Sequence, residues 1–513
     1  MNRLSTSLMS VVVVVILLGQ TAQAEDDFSK WKQEYQSSFQ EYKDKRDKEF
    51  SSFLKAQWTE MELLRGVERD NTPKPAKVPV AKPQPKEPPI HLPEPGRVPG
   101  PAPVADSIKS EPIVLQPELP KPETVVLQPV QMPEQVIKTV MPAKPTMVRK
   151  GRKLVVNYLG GLHTFYYDQK LKVNLPSRIS KKVISDFWSA VSLADYDGLI
   201  EQIDETSNKL QLNDWAYALL VHEISRQLYA SESDQSLFTW FVLAKGNYQS
   251  RIAYNDHKIY LLVPARQPLY AVPYFTFNKV RYYAISFDGH EQSLGQVYTY
   301  DGNYPGADKS LNMQISNEIL VEGPATKRDL SFDYDGKRYE IKITYDQERI
   351  RFMDTYPQLD LEWYFKGKVS MSASIQLQQQ LSQYMQGMDE QKAVNFLLRF
   401  VQTSLRYKTD EGQFGKENYL FPEETLHYPY SDCEDRSILF AWLVHSLLGM
   451  EVVGLDYPGH VATAVRFKGN VGGDSVMYNG NRYVVTDPTY INASAGMAMP
   501  EFKGKKPEII KIR

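Results

Sequence analysis

Cys433, His460 and Asp487 have the types and the order that thiol chemistry needs. Cys433 is the only cysteine of the 513 residues and lies in Ser431-Asp432-Cys433-Glu434-Asp435-Arg436-Ser437. A helical run from Ser437 to Val444 follows it. The thiol therefore stands at or near a helix amino terminus, where backbone N–H groups favour the nucleophilic thiolate. Tyr457-Pro458-Gly459-His460 is a turn into the β-type run Val461 to Val465, so His460 opens a strand. Arg482 to Thr486 is a second strand, ending in Asp487-Pro488-Thr489. A cysteine nucleophile needs a base for its proton, and the base needs an orienting partner. His460 and Asp487 fit those roles, and such a site requires no cofactor. Singly, the three residues read as a core thiol, a turn histidine and a strand-end cap.

The thiol has acidic neighbours, Asp432, Glu434 and Asp435. Left unneutralised, they raise a thiol pKa, so an active site here needs something to offset them. As plain structure, they cap the helix that follows. A donor for a developing oxyanion should lie upstream; Gln413 and Tyr430 are both available.

Asp432-Cys433-Glu434-Asp435, Gly459-His460 and Asp487-Pro488-Thr489 together resemble the core of the transglutaminase-like cysteine protease superfamily. The resemblance runs from about Leu377 to Met499. It implies a papain-like α+β fold, with the cysteine on a helix packed against an antiparallel sheet that carries the histidine and the aspartate. The Asp-Cys-Glu-Asp string also resembles the bacterial periplasmic subgroup, which is calcium-dependent and cuts surface proteins. That similarity would place calcium at Asp432, Glu434 and Asp435, since carboxylate oxygens suit this ion. Arg436 departs from the pattern, and no further ligand loop is evident.

Positioning these residues requires a globular body, and the chain divides into regions of different character. Residues 1–24 read as a secretory signal, with Arg3, an apolar Val11 to Leu18 and Ala22-Gln23-Ala24, cleaved before Glu25. That predicts a periplasmic protein with no membrane span in its mature form. Residues 25–70 read as a polar helix with Phe28, Trp31, Tyr35, Phe39, Tyr42, Phe50, Phe53 and Trp58 on one face. Such a helix docks on the body, self-associates as a coiled coil, or serves a partner. Residues 71–149 hold 20 of the 33 prolines and read as an extended Pro-rich linker. Residues 150–290 read as an α+β domain, 291–370 as a β-rich connection with turns at Asp335-Gly336 and near Tyr356-Pro357, and 371–513 as the catalytic domain.

An internal repeat links the two larger units. Leu237-Phe238-Thr239-Trp240 parallels Leu439-Phe440-Ala441-Trp442, and Tyr254-Asn255-Asp256-His257 parallels Tyr457-Pro458-Gly459-His460. In that register the first copy holds Ser231 and Ser286 at the cysteine and aspartate positions, and only His257 persists. It reads as a degenerate, catalytically blank transglutaminase-like unit.

The 60 basic and 62 acidic side chains balance, which argues against a nucleic-acid partner. The leading expectation is an exported cysteine protease or amidase acting on a protein or peptide of the cell envelope. An amine-accepting cross-linker uses the same groups. A non-catalytic scaffold or peptide-binding protein is the alternative of a different class.

Overall fold

The computed structural model describes residues 30–81 and 149–512, less 32, 36, 70, 71, 73, 174, 177, 288–294, 316 and 317. The signal sequence and the linker beyond Ala81 lie outside the described residues. The fold mixes helices with mainly antiparallel sheets, as an α+β chain should. No helix among the described residues is long and apolar enough to cross a membrane.

Helix α1, residues 30–56, is half docked. Lys43, Asp47, Phe50, Ser51 and Leu54 recur at helical spacing and are buried. Phe50 packs edge-on against Trp188 and Tyr304, and Lys43 and Asp47 pair with Asp197 and Lys245. Trp31, Tyr35, Phe39 and Tyr42 are exposed, so the aromatic stripe divides into a docked and a solvent-facing part. The helix also ends well short of residue 70. Strand β1 (Thr59–Glu62) follows and pairs at a sheet edge. An open edge offers backbone partners that outweigh the weak strand propensity of Glu60-Met61-Glu62.

A hairpin, β2 (Arg152–Tyr158) and β3 (Gly161–Tyr167), leads into helices α2 (Lys181–Val191), α3 (Asp197–Leu210), α4 (Asp214–Leu228) and α5 (Glu232–Lys245). Then come β4 (Arg251–Tyr254), β5 (Ile259–Pro264), β6 (Tyr274–Phe277), β7 (Val280–Ile285) and β8 (Gln296–Thr299), in the order β1-β8-β4-β5-β7-β6. The long hairpin β9 (Ala325–Tyr334) and β10 (Lys337–Asp346) turns at Asp335-Gly336, both with positive φ, as the sequence predicts. Apart from β8 and this hairpin, the connection holds no strand among the described residues. It forms α6 (Gln347–Met353) and α7 (Leu361–Phe365), whose buried Ile350, Phe352, Met353, Leu361, Tyr364 and Phe365 join the core.

The last region comprises α8 (Met371–Tyr384), α9 (Glu390–Ser404), β11 (Arg406–Tyr407), α10 (Asp410–Phe414), α11 (Pro422–His427), β12 (Tyr430–Ser431) and α12 (Cys433–Leu448). Five strands follow: β13 (Val452–Tyr457), β14 (His460–Val465), β15 (Ser475–Tyr478), β16 (Asn481–Thr486) and β17 (Glu508–Lys511), ordered β15-β16-β14-β13-β17. One main hydrophobic core runs from Phe50 through both regions to Ile512.

The two sheets have the same plan. The order β8-β4-β5-β7-β6 matches β17-β13-β14-β16-β15, with a helix, α5 or α12, before each. Five elements begin 201 residues after their counterparts: Glu232 and Cys433, Arg251 and Val452, Ile259 and His460, Tyr274 and Ser475, Val280 and Asn481. The structural register therefore differs slightly from the sequence one. Glu232 stands at the Cys433 position and Ser231 is the cap before it. Tyr254 faces Ile259 as Tyr457 faces His460, so Ile259 holds the histidine position. His257 lies in a longer turn, its backbone N–H held by Asn255. Glu232, Ile259 and Ser286 line one small cavity of about 30 Å³, a site with the geometry but none of the thiol chemistry.

Candidate active site

Cys433 is the first residue of α12, His460 the first of β14, and Asp487 directly follows β16, as the sequence predicts. Pro458-Gly459 forms the two-residue turn before His460, with Gly459 at φ 74°. One helical turn beyond Cys433, the Ser437 hydroxyl donates to the Val461 carbonyl at 2.9 Å. This bond fixes the thiol-bearing end of α12 against the start of β14.

His460 Nε2 lies 2.9 Å from Asp487 Oδ2, and both side chains are buried. Asp487 Oδ1 accepts the Thr489 and Tyr490 backbone N–H groups at 2.9 and 3.1 Å. Gln402 of α9 donates its amide to the Asp487, Tyr490 and Ala493 carbonyls, holding the loop after β16. The imidazole stacks on Phe502, ring centroids 4.9 Å apart. An aspartate on Nε2 selects the tautomer with the proton there and leaves Nδ1 as a lone pair. Nδ1 is buried and has no hydrogen-bond partner among the described residues. Gln402 carried a faint sequence signal, a polar residue within an otherwise apolar helical face.

The thiol is not paired with that nitrogen. Cys433 Sγ donates to Glu434 Oε2 at 3.0 Å, and Cys433 is fully buried. Burial, then the Glu434 and Asp432 charges, hold the thiol well above its ordinary value of 9.0. The folded protein keeps this proton at a pH where the unfolded chain loses it. Stability should therefore fall as pH rises past 9, by up to about 1.4 kcal/mol per pH unit. Urea titrations at pH 8, 9 and 9.8 should show the wild type losing stability relative to Cys433→Ala, a difference in which the opposite trend of Lys245, lowered by burial to about 8, cancels.

The offset to the acidic neighbours is Lys74. Its ammonium bonds Glu434, lies 2.6 Å from Glu417, 3.2 Å from Asp432 and 3.8 Å from Asp410. Sequence reasoning placed Lys74 in a passive linker and missed Asp410. Residues 74–81 instead lie against the body, because a buried carboxylate cluster needs a cation and an apolar niche takes Ala81. Burial opposes ionisation of Glu434, but the Lys74 charge and the hydrogen bonds with Asp432, Lys74 and Cys433 together outweigh it and lower its pKa. Burial and neighbouring negative charge hold Asp432 and Asp410 well above the usual carboxylate range. Asp435 is pushed up to about 7 by burial and the Glu434 charge.

Asp435 accepts the Asp432 and Leu420 backbone N–H groups, so one oxygen caps the start of α12 and the other holds the segment before α11. Arg436 is buried and bonds Ser431, the Gln402 carbonyl and the Leu405 carbonyl, fastening α12 to the end of α9. As a cation site, the better set is Asp410, Glu417, Asp432 and Glu434, which all face the Lys74 ammonium; ligand oxygens of Asp410, Glu417 and Glu434 lie within 4.8 Å of one another. They suit a hard cation, and the ammonium of Lys74 has that place.

Gln413 is half-buried on α10, and Tyr430 lies on β12 with Lys408 Nζ 5.4 Å from its ring centroid. Neither joins the hydrogen bonds around the thiol. Tyr407 is better placed. Burial first, then the Cys433 and Asp432 charges, raise its phenol pKa, and its hydroxyl donates to the Pro75 carbonyl at 2.7 Å.

No family model and no curated protein matches this chain. A solved structure of a candidate cysteine protease from Cytophaga hutchinsonii is similar at 12% identity, over 52% of this chain and 81% of that one. Its TM-score is 0.19, too low to fix the fold by comparison.

Proposed function

We propose that the protein is a transglutaminase-like thiol enzyme that performs acyl transfer on a protein or peptide amide, using Cys433, His460 and Asp487. The observation that carries this reading is the buried His460–Asp487 pair with a bare Nδ1, fixed beside the helix start that bears the only cysteine. Nδ1 takes the thiol proton as Sγ bonds the amide carbonyl carbon. The C–N bond then breaks and the leaving amine takes that proton from Nδ1. Water attacks the thioester, giving its proton to Nδ1, and the acid and free thiol are restored. Tyr407 supplies a hydroxyl donor to the carbonyl oxygen, and the amino terminus of α12 favours the thiolate.

Water as acceptor makes this a protease or amidase, and an amine would make it a cross-linker. The periplasm, implied by the leader, is the proposed setting, with envelope polypeptides as substrates. A bound calcium ion would be held by Asp410, Glu417, Asp432 and Glu434 and would neutralise the carboxylates that oppose thiolate formation.

The buried, protonated thiol favours a second reading, a peptide-binding protein without catalysis. An activated ester separates the two. With p-nitrophenyl acetate, the folded protein should gain one acetyl group on Cys433, read by mass spectrometry, and then lose it to water. Cys433→Ala should gain none there. A folded variant whose thiol is open to iodoacetamide yet is acylated only after denaturation would end the enzyme reading.

A further inference from the structure

Cys433, His460 and Asp487 are 0, 1 and 2% exposed. The chain's own residues 74–81 cross this region. At one end, the Lys74 ammonium fills the acidic pocket beside the thiol, whose Asp432 Oδ1 is a further buried acceptor without a hydrogen-bond partner among the described residues. Next, the Pro75 carbonyl receives the Tyr407 hydroxyl. At the other end, the Ala81 N–H donates to the Ile491 carbonyl at 2.8 Å and the Ile491 N–H donates to the Pro79 carbonyl at 3.0 Å, a parallel bridge just past Asp487. Ala81 packs with Tyr490, Ala493 and Met499, beside the Phe502 that stacks on His460.

We infer that residues 74–81 lie in the cleft as a substrate chain would. The site then takes an extended polypeptide with a lysine one residue ahead of the carbonyl that faces Tyr407, and the protein is closed by its own segment until that segment leaves. The term substrate rests on the thiol reading above. Three groups hold the segment in the ways a bound chain is held: a side-chain pocket, a carbonyl donor and a strand-type backbone pair. Its prolines bring no N–H groups, and Ala76, Lys77 and Val80 face solvent. It is therefore tied at few points, as an element that opens locally must be. The ammonium selects lysine because the pocket offers carboxylate oxygens from Asp410, Glu417, Asp432 and Glu434, and a neutral side chain would leave Glu434 buried and unpaired.

Iodoacetamide alkylation of Cys433 in the full chain tests this, because it needs access to the thiol and no catalysis. Ala81→Glu dislodges the apolar end without touching the acidic pocket, and Lys74→Gln releases the other end. Each should speed alkylation by roughly tenfold or more at pH 8, with unchanged circular dichroism. A synthetic peptide of residues 72–82 should restore protection to Ala81→Glu, and the same peptide with Lys74→Gln should not. Equal protection by both peptides would overturn the lysine preference. A thiol that stays as slow as wild type in both folded variants would overturn the occlusion. If the thiol opens and the lysine peptide protects it, yet p-nitrophenyl acetate never acylates it, the binding inference stands and the enzyme reading falls.

Discussion

Replacing Asp487 by asparagine should slow acetylation of Cys433 by p-nitrophenyl acetate roughly ten-thousandfold while leaving the fold intact. The reason is the direction of one proton. Asp487 Oδ2 accepts from His460 Nε2, so the lone pair stays on Nδ1. Asparagine can keep its carbonyl oxygen on the Thr489 and Tyr490 N–H groups, where Oδ1 now sits. Its NH₂ then faces Nε2 and donates, so the imidazole proton moves to Nδ1. A protonated Nδ1 on a neutral ring cannot take the thiol proton. Stability should change by about 1 kcal/mol or less, because the Thr489 and Tyr490 bonds are kept and the His460 bond is reversed, not lost. The acetylation rate and the urea midpoint, measured together, separate this from a packing defect. A loss of rate that merely follows a loss of stability would remove His460 from the reaction.

The second large effect concerns the body that carries the site. Arg349 on α6 donates to Glu423 on α11 at 2.8 Å, with side chains 4 and 0% exposed. Glu423 also accepts the Ser370 N–H at 2.8 Å and the Ser370 hydroxyl at 2.7 Å. Arg349→Met should cost about 3–5 kcal/mol, because it strands a charge in the core that two neutral donors do not neutralise. Adding Glu423→Gln should recover part of that loss, since the amide keeps an acceptor for Ser370 and no longer carries charge. Denaturant unfolding at constant m-value reads both variants. A single-variant loss below about 1 kcal/mol would place this pair with exposed ion pairs, despite its burial.

Much of the site geometry was legible in local sequence. Apolar periodicity after Cys433 marks α12, Pro458-Gly459 starts the strand at His460, and Asp487-Pro488 ends the one before it. Each signal acts within a few residues, where turn and helix sterics decide the outcome. The repeat was legible as well, but its register slipped by one or two positions. The turn at residues 255–258 is longer than that at Pro458-Gly459, and only strand pairing shows that Ile259, and not His257, takes the histidine position. Helix α1 was legible by its aromatic spacing. Its early end was not, because β1 exists only where β8 offers an edge.

By itself the sequence determined the helix start at the lone cysteine, the strand start at His460, the strand end at Asp487, and that an active site there needs something to offset the carboxylates. Only the tertiary structure decided that Lys74 is that offset. Lys74 lies more than three hundred residues before Glu434, in a proline-rich stretch whose composition gives it no reason to fold. Its place is set by two forces that no local pattern records. Buried carboxylates need a counter-charge, and Ala81 needs the niche formed by Tyr490, Ala493 and Met499. Burial and the Glu434 and Asp432 charges keep the thiol protonated, against the pull of the Lys74 charge. The order of Cys433, His460 and Asp487 points to the proposed thiol chemistry, and a distant segment of the same chain fills the acidic pocket beside the thiol.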